Sequence, residues 1–200
     1  MTTQRRDILA QIGSHLAERD IVVAALAGTT ADTYQVIDRP GNLYLVGLGM
    51  ITQVSLGLAL ALPESKIVAL DTDGSLLLAP SILAVAAAAN PDNLRIVVFD
   101  NERLFGSRGG APSQTNMGAD LSAMARAAGF QQTDTLVEPK DIGAKVDWLF
   151  AQEGLTLLTA KIEPGARNEG PRMDGQENKY QLIRGIEQMQ QTSILGPPKV

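Results

Sequence analysis

Two apolar runs that each stop at an acidic turn constrain this chain more than any other feature. Lys66-Ile67-Val68-Ala69-Leu70 leads into Asp71-Thr72-Asp73-Gly74-Ser75, and Arg95-Ile96-Val97-Val98-Phe99 leads into Asp100-Asn101-Glu102-Arg103. Apolar runs without polar alternation mark strands buried on both faces, as in parallel sheets. After the first turn the chain stays apolar from 76 to 89, interrupted only by Pro80 and Ser81, and reads as one helix packed on the sheet. The turn at Asp73 thus lies at a strand's carboxyl end and a helix N-terminus, where free N–H groups and the helix dipole favour a phosphate. Asp73 adds a hard oxygen able to hold the Mg2+ that a diphosphate brings, and Asn101 carries an amide oxygen to the neighbouring strand end.

The remaining elements extend this pattern. Ile8, Leu9, Ile12 and Leu16 recur at helical spacing, so residues 4 to 18 form an amphipathic helix before a first strand at 21 to 26. Ala27-Gly28-Thr29-Thr30 is a hydroxyl-bearing turn at the same edge; its threonines either bond a terminal phosphate or cap a helix at 31 to 36. A second strand at 42 to 46 ends in Gly47-Leu48-Gly49-Met50, where glycine lets backbone approach a ligand, and a small-residue helix follows from 50 to 62. Residues 101 to 117 are irregular, with Gly106, Gly109 and Gly110 for mobility and Arg103 and Arg108 for charge. These arginines suit an anionic substrate and equally suit solvated loop positions. A helix at 120 to 128, a strand near 133 to 137, a helix opened by Pro139 and a strand at 155 to 162 complete six β units. Trp148 and Phe150 read as core or subunit contact.

The predicted fold is α/β, an open six-stranded parallel sheet with helices on both faces, whose ligands sit outside the strands' carboxyl ends. Residues 1 to 165 form the diphosphate-binding domain. Residues 166 to 200 form a C-terminal arm with a short helix at 180 to 191.

Composition narrows the function. Seventeen basic against twenty-two acidic residues, without long charge blocks, argue against nucleic acid or an anionic membrane as partner. The absence of cysteine excludes disulfides and thiolate-held clusters and fits a cytoplasmic protein. No signal peptide or membrane span is indicated. The single histidine, His15, falls near an apolar stripe far from any strand's carboxyl end, so a surface or packing role is expected for it. No P-loop or Gly-x-Gly-x-x-Gly is present, which lowers the prospect of a nucleotide-binding module.

Asp73-Gly74-Ser75, then helix and strand, then Asp100-Asn101, with Asn101 lying 28 positions after Asp73, resembles the thiamine diphosphate motif Gly-Asp-Gly…Asn-Asn. Tyr44-Leu45-Val46-Gly47-Leu48-Gly49-Met50, Leu56-Gly57-Leu58-Ala59-Leu60 and Gly106-Ser107-Arg108-Gly109-Gly110 are similar to the beta subunit of sulfopyruvate decarboxylase and the matching half of phosphonopyruvate decarboxylase. The likeness covers about residues 5 to 165. Thr72 stands where that family has the first Gly of its motif, and Val46-Gly47-Leu48-Gly49 where it has Gly-Ser-Met-Gly.

The resemblance implies a heteromeric decarboxylase of small anionic 2-oxo acids that uses thiamine diphosphate and Mg2+. It implies metal ligation by Asp73, Asn101 and the main-chain oxygen of Arg103. It implies cofactor contacts from Thr29, Thr30, Gly47, Leu48, Gly49, Met50, Asp73, Gly74, Ser75, Asn101, Arg103, Leu104, Phe105 and Gly106. Leu48 would prop the cofactor's bend, with Met50 as its rival, and Arg108 would contact the substrate anion. The glutamate that activates the pyrimidine would come from a pyrimidine-binding alpha subunit, since none of the nine glutamates here lies in a recognisable pyrimidine-binding segment. Activity is therefore expected only with that partner, and a second copy of this chain is expected in the assembly. Carboligation, an oxidoreductase subunit and a non-catalytic Mg-nucleotide module are the other readings.

Overall fold

The computed structural model describes residues 3–104, 110–165, 169–172 and 174–194. Six strands form one sheet: β1 (Ile21–Ala25), β2 (Leu43–Val46), β3 (Ile67–Thr72), β4 (Leu94–Asp100), β5 (Gln132–Leu136) and β6 (Thr156–Lys161). Their order is β2-β1-β3-β4-β6-β5, and every pairing is parallel. Parallel neighbours need crossovers, and helices supply them on both faces. On one face α1 (Arg5–His15), α2 (Gly28–Ile37) and α7 (Ile142–Ala151) bury Ile8, Leu9, Ile12, Val146 and Leu149 against the sheet. On the other, α3 (Ile51–Ala61), α4 (Asp73–Leu78), α5 (Ile82–Ala89), α6 (Leu121–Ala128) and α8 (Gly175–Gln190) cover Ile21, Ile67, Ile96 and Leu157. The central strands are buried throughout, which is why they read as unbroken apolar runs. The six-stranded parallel sheet expected from the sequence is thus the sheet observed.

Three local expectations change. The helix expected across 75 to 89 is two helices, because Pro80 cannot donate its nitrogen to a helical ladder, and the chain restarts at Ile82. The last helix starts at Gly175, not at 180, held by a capping box in which Asp174 accepts from Gln176 N and Glu177 N while Glu177 accepts from Asp174 N. α2 starts at Gly28 with no side-chain cap, so Thr29 and Thr30 lie inside its first turn and neither acts as its cap.

α8 folds back onto the sheet's outer strand. Asn178, buried, donates its amide to Tyr44 O and accepts from Tyr44 N at 3.0 Å, taking both peptide groups that a further strand would use. Ile186 enters the core beside it, and Gly185 packs on the turn before β2 so closely that an added methyl would land on Gly41 N and Cα. Both clashing atoms are backbone, so Gly185→Ala should destabilise the chain by about 1–3 kcal/mol despite the better helix propensity of Ala. Denaturant unfolding of the variant against the parent checks this.

Candidate functional site

The strand order reverses beside β1: the chain leaves β1 for β2 on one side and returns to β3 on the other. In open α/β sheets this switch point leaves a crevice at the carboxyl ends. Here a cavity of about 870 Å³ occupies it, walled largely by apolar side chains. Segments from the ends of β1, β2, β3 and β4 supply its lining.

Thr72 ends β3 and caps α4, its hydroxyl accepting from Ser75 N at 3.4 Å. A glycine could not cap in this way. Asp73 opens the helix with 2% of its surface exposed. Gly74 packs closely on Leu104, whose Cδ2 would stand 3.1 Å from an added Cβ and would have to yield to it. Ser75 Oγ accepts from Gly49 N at 2.9 Å and so ties the β2 loop to the β3 turn, with Gly49 in the left-handed region at φ 74°. Asn101 Oδ1 accepts from Arg103 N at 3.0 Å, holding the turn after β4.

Thr29, Thr30, Leu48, Asp73, Gly74, Ser75, Asn101, Arg103 and Leu104 all line the cavity. Gly47, Gly49 and Met50 are not among its lining residues, and Met50 is exposed. Phe105, Gly106 and Arg108 lie outside the described residues. The Arg103 guanidinium is exposed and donates to Gly110 O at 3.0 Å. His15 stacks on Phe150 and pairs with Asp147 on the α1–α7 side, away from the cavity. The two threonines differ: Thr30 Oγ1 donates to Ala25 O and accepts from Leu45 N, both at 2.8 Å, whereas Thr29 Oγ1 is buried with no partner among the described residues. Leu45 also lines the cavity, at φ 54°, a conformation rare for leucine and fixed here by that bond to Thr30.

Behind Asp73 lies a polar network. Thr115 Oγ1 donates to Asp100 Oδ1 at 2.7 Å and stands 3.3 Å from Asp73 Oδ2, while Ser113 and Thr115 share a hydroxyl contact of 2.7 Å. Lys161 Nζ lies 2.7 Å from both Asp100 and Glu102. Burial, with the charge of Asp100, raises the Asp73 carboxyl above its ordinary range against opposing bonds from Ser113, Gly74 N and Thr115. Burial pulls the Lys161 ammonium down, but its bonds to Asp100 and Glu102 outweigh that and leave it raised. Asp71 is raised by burial, partly offset by Ser75, Thr72 N and Thr52. Asp100, Ser113, Thr115 and Lys161 are the residues that sequence reasoning did not nominate; only the adjacency of Asp100 to Asn101 signalled any of them.

The donor set suits a small hard cation brought by phosphate. A carboxylate, an amide oxygen and a nearby carbonyl are all oxygen, and no group of three or more His, Cys, Asp or Glu side chains among the described residues could hold a metal by itself. Mg2+ is commonly held by one or two carboxylates with phosphate and water completing the shell. The Thr29 hydroxyl, without a partner among the described residues, and the uncapped first turn of α2 are hydrogen-bond donors that would suit a phosphate.

Residues 20–160 match the model of the thiamine pyrophosphate enzyme, C-terminal TPP binding domain. The chain belongs to the thiamine pyrophosphate enzyme family. It is similar to the sulfopyruvate decarboxylase subunit beta of Methanocaldococcus jannaschii, 32% identical over 68% of this chain and 71% of that one. The corresponding subunit of Methanothermobacter thermautotrophicus is 35% identical over 65% and 69%. Phosphonopyruvate decarboxylase of Streptomyces viridochromogenes is 33% identical over 79% of this chain, which spans only 40% of that protein. An X-ray structure from Mycobacterium smegmatis, described as a thiamin diphosphate-dependent enzyme, superposes with a TM-score of 0.68 at 18% identity, covering 81% of this chain and 32% of that one, and shares the fold. Against the family's motif, Thr72 replaces a glycine with a helix cap, and Asp100 replaces the first asparagine with a carboxylate that Lys161 pairs.

Because the folded state raises the Asp71 carboxyl, its contribution to stability is complete below the unfolded value near 4 and is lost as pH rises through the folded value, by about 1.4 kcal/mol per pH unit crossed. Asp71→Asn should remove that decline, so its unfolding free energy falls less between acid and neutral pH than the parent's. A parallel decline in both proteins would count against the assignment.

Proposed function

We propose that this chain is the diphosphate- and Mg2+-binding beta subunit of a heteromeric, thiamine diphosphate-dependent decarboxylase of small anionic 2-oxo acids. The observation that carries this is the convergence at the switch-point cavity of Asp73, Asn101 and Arg103 from two adjacent strand ends, opposite an unpartnered Thr29 hydroxyl. The relatives support the split. This chain spans 69–89% of the proteins named as beta subunits but 39–42% of those named simply as decarboxylases, so it corresponds to one part of the longer chains.

In this reading Asp73, Asn101 and the Arg103 carbonyl hold the metal, and the first-turn N–H groups of α2 and α4 receive the diphosphate. Leu48 and the apolar wall prop the organic part and exclude water. The bound thiazolium ring supplies the electron sink for the carboxylate's electrons. Gly47, Gly49 and Met50 hold the β2 loop that carries Leu48, and Arg108 contacts the substrate's second anionic group. A pyrimidine-binding alpha subunit supplies the activating glutamate, a second copy of this chain shares the assembly, and the enzyme works in the cytoplasm.

Calorimetry with thiamine diphosphate and Mg2+, against ATP as control, tests the cofactor. Asp73→Ala should weaken metal-dependent binding by more than about 100-fold, since even outer-shell changes cost 10–100-fold, while circular dichroism stays that of the parent. Undiminished binding would sink the metal assignment. For the reaction, the chain co-expressed with an alpha subunit should release CO2 from sulfopyruvate or phosphonopyruvate and much less from pyruvate, and the chain alone should release none. Turnover by the chain alone as a monomer would refute the split site.

A further inference from the structure

Besides Thr29 Oγ1, one other buried donor at this cavity lacks a partner among the described residues: Nε of Arg5, at the start of α1. Arg5 is 7% exposed and Thr29 1% exposed, and both line the cavity. The guanidinium is fixed: Nη1 bonds Asp32 Oδ2 at 2.8 Å, and Cζ lies 5.4 Å from the centre of the Phe99 ring. Asp32 lies three residues beyond Thr29 on α2, on the same helix face and about 5–6 Å away between Cβ atoms. The ion pair therefore ties the guanidinium to the face of α2 that carries Thr29, and both residues line the one cavity.

A buried N–H and a buried O–H left without partners are costly, and native structures rarely leave such groups unpaired. Nε can only donate and the hydroxyl can donate as well as accept, so an acceptor oxygen is the group that satisfies both at once. Since Arg5 spends its charge on Asp32, the site selects by hydrogen-bond geometry more than by net charge.

We propose that Arg5 Nε and Thr29 Oγ1 form a seat for the terminal phosphoryl group, making Arg5 a residue by which this chain selects diphosphorylated over monophosphorylated thiamine. This rests on reading the cavity as the cofactor site.

The test uses the full chain with Mg2+, and inorganic diphosphate, thiamine diphosphate and thiamine monophosphate as probes. Thr29→Val is close to isosteric and removes a hydroxyl that has no partner among the described residues, so the melting temperature should hold or rise while diphosphate affinity falls about tenfold. A hydroxyl with a structural role would lower the melting temperature instead. Arg5→Met alone leaves the buried Asp32 with only Arg6, 3.8 Å away, so the Arg5→Met/Asp32→Asn double variant, which removes the buried pair together and releases only the partly exposed Arg6 to solvent, carries the second arm. It should also lose about tenfold for inorganic diphosphate and thiamine diphosphate, and little for the monophosphate. Parent-like diphosphate binding by both variants would overturn the seat even if thiamine diphosphate binds the parent. If the parent binds inorganic diphosphate in a Thr29- and Arg5-dependent way but not thiamine diphosphate, the seat stands and the cofactor reading fails. Competition by a small alkylsulfonate, present in the parent and lost in the variants, would assign the seat to the substrate and overturn the proposal.

Discussion

A carboxylate taken out of water has to be compensated, and three of them crowd the carboxyl edge of this sheet. Asp71, Asp73 and Asp100 are each no more than 2% exposed. Asp71 accepts from Thr52 and from Thr72 N, and Asp100 accepts from Thr115 and Glu102 N while pairing with Lys161. Asp73 shares the Thr115 hydroxyl with Asp100, at 3.3 Å against 2.7 Å, and draws further on Ser113 and Gly74 N. Burying charge costs several kcal/mol per ion unless geometry and hydrogen bonds offset it. The positions of Thr52, Thr115 and Lys161, drawn from α3, the loop after β4 and the end of β6, follow from that requirement.

The sheet makes the crowding possible. β3 and β4 lie side by side in continuous register from Ile67 opposite Leu94 to Thr72 opposite Phe99, so their acidic turns emerge together. Pro80 then ends α4 after two turns and the chain restarts as α5. The apolar strands anchor the turns, and the turns supply the chemistry; neither part would hold its place alone.

How far the sequence could be read follows the same division. Strands buried on both faces carry their signature in every residue, so the parallel sheet was legible in the runs from 66 to 70 and 95 to 99 together with the alternation of strands and helices around them. Asp73 and Asn101 were legible because a strand end places them without knowledge of the rest. Thr115 was not: a hydroxyl in an irregular segment has no period, and its role arises only when the loop folds back on Asp100. Thr29 and Thr30 look equivalent as letters, yet one is bonded on both sides and the other on neither, because only Thr30 faces the β1–β2 junction. The Asp174-to-Glu177 capping box was present in the letters, but its Gly- and Pro-rich setting hid the early start of α8.

The Asn178 amide has a consequence at larger scale. By answering Tyr44 from the side, it fills with one residue's side chain the place where a neighbouring molecule would otherwise line up its own backbone. The sheet is stoppered at that margin, so ribbon-like growth between molecules is blocked there.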